Sequence, residues 1–407
     1  MSFDIVVIGA GPAGLCFARS LKDSGLRIAL VERQEEAALM TPADDGREIA
    51  ITHRSRRLLR ELGLWARLRE EEIGTLRDAM VLDGDDRDGL MFRHGEAGKE
   101  QLGWLLSNHA IRRAAYEEVA GLPEVERITG ARVDAVRTGP NGAEVELDNG
   151  ETLHAQLVAA ADSRFSETRR AMGIGAEMRD FGKTMLVLRM RHQVPHEEVA
   201  WEWFGHGQTL ALLPLHDAHT SSVVLTLAPP AMRELLALND AALEAAMAER
   251  FQDRLGAMSV AGPRCAYPLV GVYAKRFVAE RFALIGDAAV GMHPVTAHGF
   301  NFGLLGQDLL ARELRAARAA GRSIAAPALL ARYERRLRLA TRPLYLATNA
   351  LAGLYTDDRR PARALRKLAL GAGARLRPFR RLVMSGLTAE QGGVPAPLRL
   401  LRRPRPA

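Results

Sequence analysis

Hydrophobic residues in this chain occur as short unbroken runs, as alternating stretches and as helical stripes, in a definite order. Residues 3–8 read FDIVVI and residues 26–31 read LRIALV. Runs this short and this apolar predict strands covered on both faces of a parallel sheet. The residues between, to about Leu21, carry a helical pattern. Runs at 157–161 (LVAAA) and 281–285 (RFALI) predict further buried strands. Residues 49–51 form a short strand, 55–68 a helix, and 103–119 a strand followed by a helix. Residues 131–148 alternate around Asn141-Gly142, the sequence of a type I′ hairpin. From about 180 to 275 the character changes. Runs at 185–191, 200–204, 209–213 and 222–227 are separated by Gly, Pro, His and Asp, which predicts an antiparallel sheet inserted into the first unit. Its Trp201, Trp203 and Phe204 either wall a pocket or fill a core. Helical patterns return from about 304 to 320 and again after about Ala325. The expected fold is α/β: a doubly wound nucleotide-binding unit over 1–179 and 276–345, a β-sheet domain over 180–275, and a basic helical region over 346–407.

The chemistry lies at strand ends. Gly9-Ala10-Gly11-Pro12-Ala13-Gly14 follows the first strand, and Glu32 ends the second. Gly9 permits the tight turn, Gly11 lets backbone approach a pyrophosphate, and Gly14 lets helix and strand pack closely. The helix N-terminus favours anions, and a carboxylate at Glu32 suits a ribose diol. Asp162 follows the 157–161 strand at the edge where open α/β sheets bind ligands. It also suits a helix cap for the segment from Ser166. Gly286-Asp287 follows the 281–285 strand and leads into a Gly/Pro/His loop, 291–303, with a helix beyond. Such a loop and helix start stabilise negative charge. His293 and His298 read as acid/base groups or as simple hydrogen-bonding residues. Arg47 and Arg112 read as phosphate contacts or as solvated residues.

Composition narrows the partners. The 407 residues carry a formal charge of +7. The excess gathers near the C-terminus and is not interleaved with aromatics, so nucleic acid is not expected. Beyond Asp358, Glu390 stands alone as an acid among many arginines. That stretch reads either as a solvated helical face or as a surface for a membrane or an acidic protein. Cys16 and Cys265 make no disulfide framework, and no metal-ligand spacing is present, so no metal is expected. The chain opens on a core strand and contains no run of spanning length. An intracellular protein, not integral to a membrane, is expected.

Together these segments resemble the single-component flavin monooxygenases of the para-hydroxybenzoate hydroxylase class. The N-terminal glycine fingerprint, the Asp162 motif and Gly286-Asp287 appear in that class's order. More narrowly, the chain resembles the ubiquinone-biosynthesis FAD-dependent hydroxylases of the UbiH/UbiF/UbiM type. The resemblance rests on residues 45–50, 200–204, 210–215, 221–224, 267–269 and the Gly-Asp loop, and covers about residues 1–345. Met292 to Asn301 with Gly306-Gln307-Asp308 is most similar to the UbiM branch. Ser163, Val290 and Ala297-His298-Gly299 depart from the commoner pattern of the class.

The resemblance implies a Rossmann-like FAD-binding domain of the glutathione-reductase type, with the inserted sheet as substrate domain. Gly9, Gly11 and Gly14 would cradle the FAD pyrophosphate and Glu32 the adenosine ribose. Arg33, Arg47 and Arg112 would touch adenine or phosphate, and Val133 would offer backbone to the adenine end. Asp287 would bind ribitol. Pro294, Gly299, Phe300 and Asn301 would line the isoalloxazine, with His293, His298 and Pro294 nearest the chemistry. Asp162 would support the flavin domain and the path of NAD(P)H. The implied reaction is ring hydroxylation of a prenylated phenol or quinol by dioxygen, through a flavin hydroperoxide. The basic C-terminal region would meet the inner face of the cytoplasmic membrane or a ubiquinone-biosynthesis complex. A catabolic phenol hydroxylase and a non-catalytic flavoprotein scaffold are the alternatives.

Overall fold

The computed structural model describes residues 1–84, 89–205, 207–293 and 298–356. Strand β1 (Ser2–Ile8), helix α1 (Pro12–Ser20) and strand β2 (Ile28–Glu32) form the first βαβ unit. β1 pairs in parallel with β2 on one side and with Thr152–Ala160 on the other. Phe282–Leu284 adds in parallel beyond Thr152–Ala160, and Val125–Thr129 beyond β2. Ile5, Val6 and Val7 are wholly buried, because both faces of this sheet are covered. Helices α1, Asn108–Ala120 and Gly299–Ala319 pack together on one face. The hairpin Val133–Gly139/Gly142–Leu147 contributes Ala143, Val145 and Leu147 to the same core.

That hairpin is not the type I′ turn expected from Asn141-Gly142. Gly142 pairs with Gly139, so the loop is Pro140-Asn141. Neither Asn141 nor Gly142 adopts a positive φ, and Pro140 fixes its own φ negative. The proline moved the turn by one residue. The helix expected over 55–68 runs from His53 to Glu61 and ends before Gly63, whose φ of +85° closes it; a short 3-10 turn follows.

The second sheet runs Val290–Gly291, Cys265–Ala274, Ala176–His192, Thr220–Leu227, Gln208–Pro214, Val199–Gly205, Asp78–Asp83, Leu90–Phe92. It is antiparallel except where Val199–Gly205 lies parallel to Asp78–Asp83. Asp78–Asp83 and Leu90–Phe92 come from well ahead of residue 180, so the sheet is not confined to the expected 180–275. One face is closed by helices Pro229–Leu236 and Asp240–Arg250, which bury Met232, Leu235, Leu243 and Met247 with Leu186, Leu188, Leu210 and Leu212. Trp201 and Trp203 belong to this packed side, so they are core. Phe204 points the other way, as strand alternation requires. A third sheet, Glu48–Ile51, Gly103–Ser107 and Ile73–Leu76, completes the strand framework. Helix Pro327–Thr356 ends the described chain; the basic stretch after Asp358 lies outside the described residues.

Candidate flavin and active site

The glycine turn does three separate jobs. Gly9 sits at φ +101°, and a Cβ there would come within 2.8 Å of the Ala161 carbonyl oxygen. A Cβ on Gly14 would stand 1.9 Å from the Gly9 oxygen. Over Gly11 nothing lies within 4 Å, so the backbone is open where a phosphate would approach. Glu32 reaches back to this turn. Its Oε2 accepts the Ala10 N–H at 2.8 Å and its Oε1 the Gln34 N–H at 3.0 Å. Arg112 donates to Gln34 Oε1 at 3.2 Å, and the Ala131 N–H bonds to the Glu32 carbonyl. The structure thus gathers Glu32, exposed Arg33, Arg112 and the start of the Val133 strand at one rim.

Arg47 lies elsewhere. It forks onto Asp45 at 3.0 and 2.6 Å, and its guanidinium is 5.6 Å from the Tyr267 ring centroid. Burial works to raise the Asp45 carboxyl. The Arg47 bonds and charge, with a bond from Asn108, outweigh burial and hold Asp45 below the ordinary carboxylate range. Tyr267 O–H donates to the Asp45 carbonyl at 2.8 Å, which joins the second sheet to the first unit.

The second turn faces the first. Gly286 adopts φ +60°, and a Cβ there would meet Ala13 Cβ at 2.8 Å. Asp287 follows, 3.2 Å from Arg164. Ser166, not Asp162, caps the next helix by accepting the Arg169 N–H at 2.8 Å. Asp162 Oδ2 takes only a 3.4 Å bond from the Thr168 N–H, and its Oδ1 is buried without a partner among the described residues. A buried acceptor left open is costly. With the bare backbone at Gly11, it fits a site that a polar cofactor completes. Fully buried Arg169 donates to the carbonyls of Ala288 (2.9 Å) and Arg164 (3.1 Å) and so braces the Gly-Asp turn. The sequence reading missed Arg169, because an arginine in a polar helix carries no signal of burial.

His293 and His298 are buried. Burial, with Arg179 nearby, pushes His293 down to about 4, so it is neutral at pH 7. Its ring meets Phe181 of the second sheet edge-on at 4.6 Å. Gly299 opens helix Gly299–Ala319, with nothing within 4 Å of its Cβ position. Phe300 is half-buried beside it. Asn301 ties the helix start to the small sheet: Nδ2 donates to the Ala50 carbonyl at 2.8 Å, and Oδ1 accepts the Thr52 N–H at 3.2 Å. Pro294 lies outside the described residues.

Arg189 is a second missed residue. It forks onto Glu48 at 2.8 and 3.1 Å and reaches Asp44 at 2.9 Å, tying the second sheet to the stretch before the small sheet. A charged residue at an inward strand position was its only signal.

Two parallel-strand turns meeting over an exposed glycine backbone, beside an antiparallel sheet, define a flavoprotein of the aromatic monooxygenase type. The family model described as FAD binding domain matches residues 2–344. The fold is shared with p-nitrophenol 4-monooxygenase from Pseudomonas putida, at a TM-score of 0.77 and 19% identity over 96% of this chain and 99% of that one. Ubiquinone hydroxylase UbiM of Neisseria meningitidis is 46% identical over 95% of this chain and 84% of its own length. Ubiquinone hydroxylase UbiL of Rhodospirillum rubrum is 36% identical over 98% of this chain and 92% of its own. The chain belongs to the FAD-dependent monooxygenases, and within them to the ubiquinone hydroxylase family.

Proposed function

We infer that this enzyme hydroxylates the aromatic ring of a prenylated phenol or quinol on the route to ubiquinone, using FAD, NAD(P)H and dioxygen. The observation that carries the reading is the near full-length match to ubiquinone hydroxylases on a fold with its glycine cradle intact. Gly9, Gly11 and Gly14 hold the pyrophosphate. Glu32, Arg33, Arg112 and Val133 serve the adenosine end, and Asp287 the ribitol. Gly299, Phe300, Asn301 and Pro294 border the ring system, and Asp162 supports that half and the approach of NAD(P)H. Arg47, held by Asp45 against Tyr267, orders the boundary between flavin and substrate sheet. FAD supplies the oxygen-activating chemistry; the protein positions it and keeps water out. His293, neutral at pH 7, and His298 stand at the flavin loop as hydrogen-bonding groups for reaction intermediates.

The test is mass spectrometry of quinones from a strain lacking the gene. Accumulation of a prenylated precursor short of one ring hydroxyl is expected. Unchanged quinones, with no second hydroxylase present, would turn the reading toward a catabolic phenol hydroxylase, or toward a scaffold if no phenol drives NAD(P)H oxidation.

No helix among the described residues is long and apolar enough to cross a membrane. A prenylated substrate nevertheless resides in lipid, and the arginine-rich residues 359–407 carry charge suited to an anionic surface. We infer peripheral association through that stretch with the membrane or with a biosynthetic complex. Deleting 359–407 should abolish co-sedimentation with anionic vesicles, or with the complex, while flavin content stays unchanged; undiminished association would remove the tail from the account.

A further inference from the structure

The inward face of the second sheet carries a carboxyl group that no group among the described residues satisfies. Trp201 and Trp203 pack under the helices, so Glu202 between them points to the opposite side. That side faces the flavin half: Tyr267 bonds to Asp45, Arg189 to Glu48, and Phe181 meets His293. Across the strands Glu202 sits beside Val81 and Ala211, and Ala211 beside Val224. None of these side chains can bond to it. Its carboxylate has no hydrogen-bond or ion-pair partner among the described residues.

The apolar residues on this face form two separate clusters. Val81 packs with Leu90 and Phe92; Val224 packs with Met185 and Tyr267. Val81 and Val224 are three strand spacings apart, ~14 Å, and only Glu202 and the small Ala211 stand between them in that row. Between the two apolar clusters this row therefore presents one acidic group beside one small side chain. Helix Pro327–Thr356 packs against the same two strands and helps exclude bulk water. Glu202 is half-buried, and a carboxyl held there with no partner among the described residues costs stability. Residues that break the local rules without internal compensation are those retained for function.

We propose that Glu202 is a catalytic residue whose carboxylate binds the phenolic hydroxyl of the substrate and takes its proton as the ring is hydroxylated. This rests on the phenol or quinol substrate proposed above. The phenolic O–H bond breaks and a carboxyl O–H bond forms; the electron pair stays on the substrate oxygen and enriches the ring. The incoming hydroxyl is one oxygen of dioxygen, the other leaves as water with the two electrons supplied by NAD(P)H, and the displaced ring hydrogen leaves as a proton. The proton on Glu202 returns to the product oxygen. Burial pushes the Glu202 carboxyl up to about 8, which brings its basicity toward that of a phenol, about 10. The carboxylate that acts as the base is the minor form at pH 7 and its share grows as pH rises toward 8, so product formation should speed up over that range.

The experiment compares the FAD-loaded full-length enzyme with Glu202→Gln, using a short-chain prenylated phenol and its methyl ether as probes. Hydroxylated product, hydrogen peroxide, flavin content and Tm are all read. The variant should form product about 100-fold more slowly, diverting NAD(P)H oxidation to peroxide, with flavin content unchanged. It should lose the parent's preference for binding the phenol over the ether. Its Tm should be equal or higher, since an unpaired carboxyl has been removed; Glu202→Met should behave likewise. Coupled product formation within about 3-fold of the parent, well short of a lost acid–base group, would overturn the assignment while leaving the phenol reading intact. A parent enzyme that neither binds nor hydroxylates the phenol would overturn both.

Discussion

Gly14→Ala should yield a protein without bound flavin and with a weakened first unit. The added Cβ would stand 1.9 Å from the Gly9 carbonyl oxygen, a backbone atom that cannot rotate aside. Gly9 cannot retreat either. It lies at φ +101° where even a Cβ would run into Ala161 and Asp162, and its N–H bonds to the Val31 carbonyl at 2.8 Å. The helix must therefore lift from the strand, which costs about 3 kcal/mol for overpacking of this kind and lowers Tm by roughly 6 °C for a unit of this size. The same displacement pulls the helix N-terminus from where a pyrophosphate would sit. Asp287→Ala is the informative contrast. Asp287 is half-exposed and bonded to Arg164 at 3.2 Å, so its loss should leave the fold and remove a polar contact to the cofactor. The expected pair of results is flavin loss with a lower apoprotein Tm for Gly14→Ala, and flavin loss with an unchanged apoprotein Tm for Asp287→Ala. Absorbance of the purified proteins and thermal melts of the apo forms decide it; full flavin occupancy in either variant contradicts the site.

The parts of this fold that were legible in the sequence are those in which local pattern and tertiary role coincide. Residues 5–8, 28–31 and 157–160 are continuous apolar runs because the sheet is covered on both faces there, and Gly9 and Gly14 are glycines because backbone passes where a Cβ would be. What stayed hidden depended on pairing across distance. Asp78–Asp83 joins the second sheet through a parallel contact with Val199–Gly205, and no property of either segment announces its neighbour. Trp201 and Trp203 could be placed in a core or in a pocket wall until the helices of residues 229–250 were seen to cover them. Arg47 read either as a cofactor contact or as a solvated residue, and its place over the Tyr267 ring, more than two hundred residues away, had no local signal. The Asn141-Gly142 signal failed for a local reason instead, since the preceding proline captured the turn.

Arg189→Met should destabilise the enzyme in a pH-dependent way. Glu48 is almost entirely shielded, and burial pushes its carboxyl up to about 7 even with Arg189 forked onto it. A carboxyl whose folded pKa lies above its unfolded value contributes stability that is complete below the unfolded pKa. That contribution is lost as pH rises through the folded pKa. In the parent this loss runs from 4.5 to about 7 and then stops, because above that pH the carboxyl is ionised in both states; Arg189 keeps the folded value from rising further. Without Arg189 the folded pKa climbs further, so the loss continues at about 1.4 kcal/mol per pH unit. Parent and variant should therefore differ modestly at pH about 6, where Glu48 is largely protonated in both, and by about 3 kcal/mol near pH 8.5, the scale of a buried pair broken on one side. Urea midpoints at the two pH values measure the gap. Adding Glu48→Gln to Arg189→Met should flatten the dependence, because no buried charge is left to form. A gap that is equal at both pH values, or that survives the second substitution, would show that Arg189 acts through Asp44 or through packing and not through the buried carboxylate.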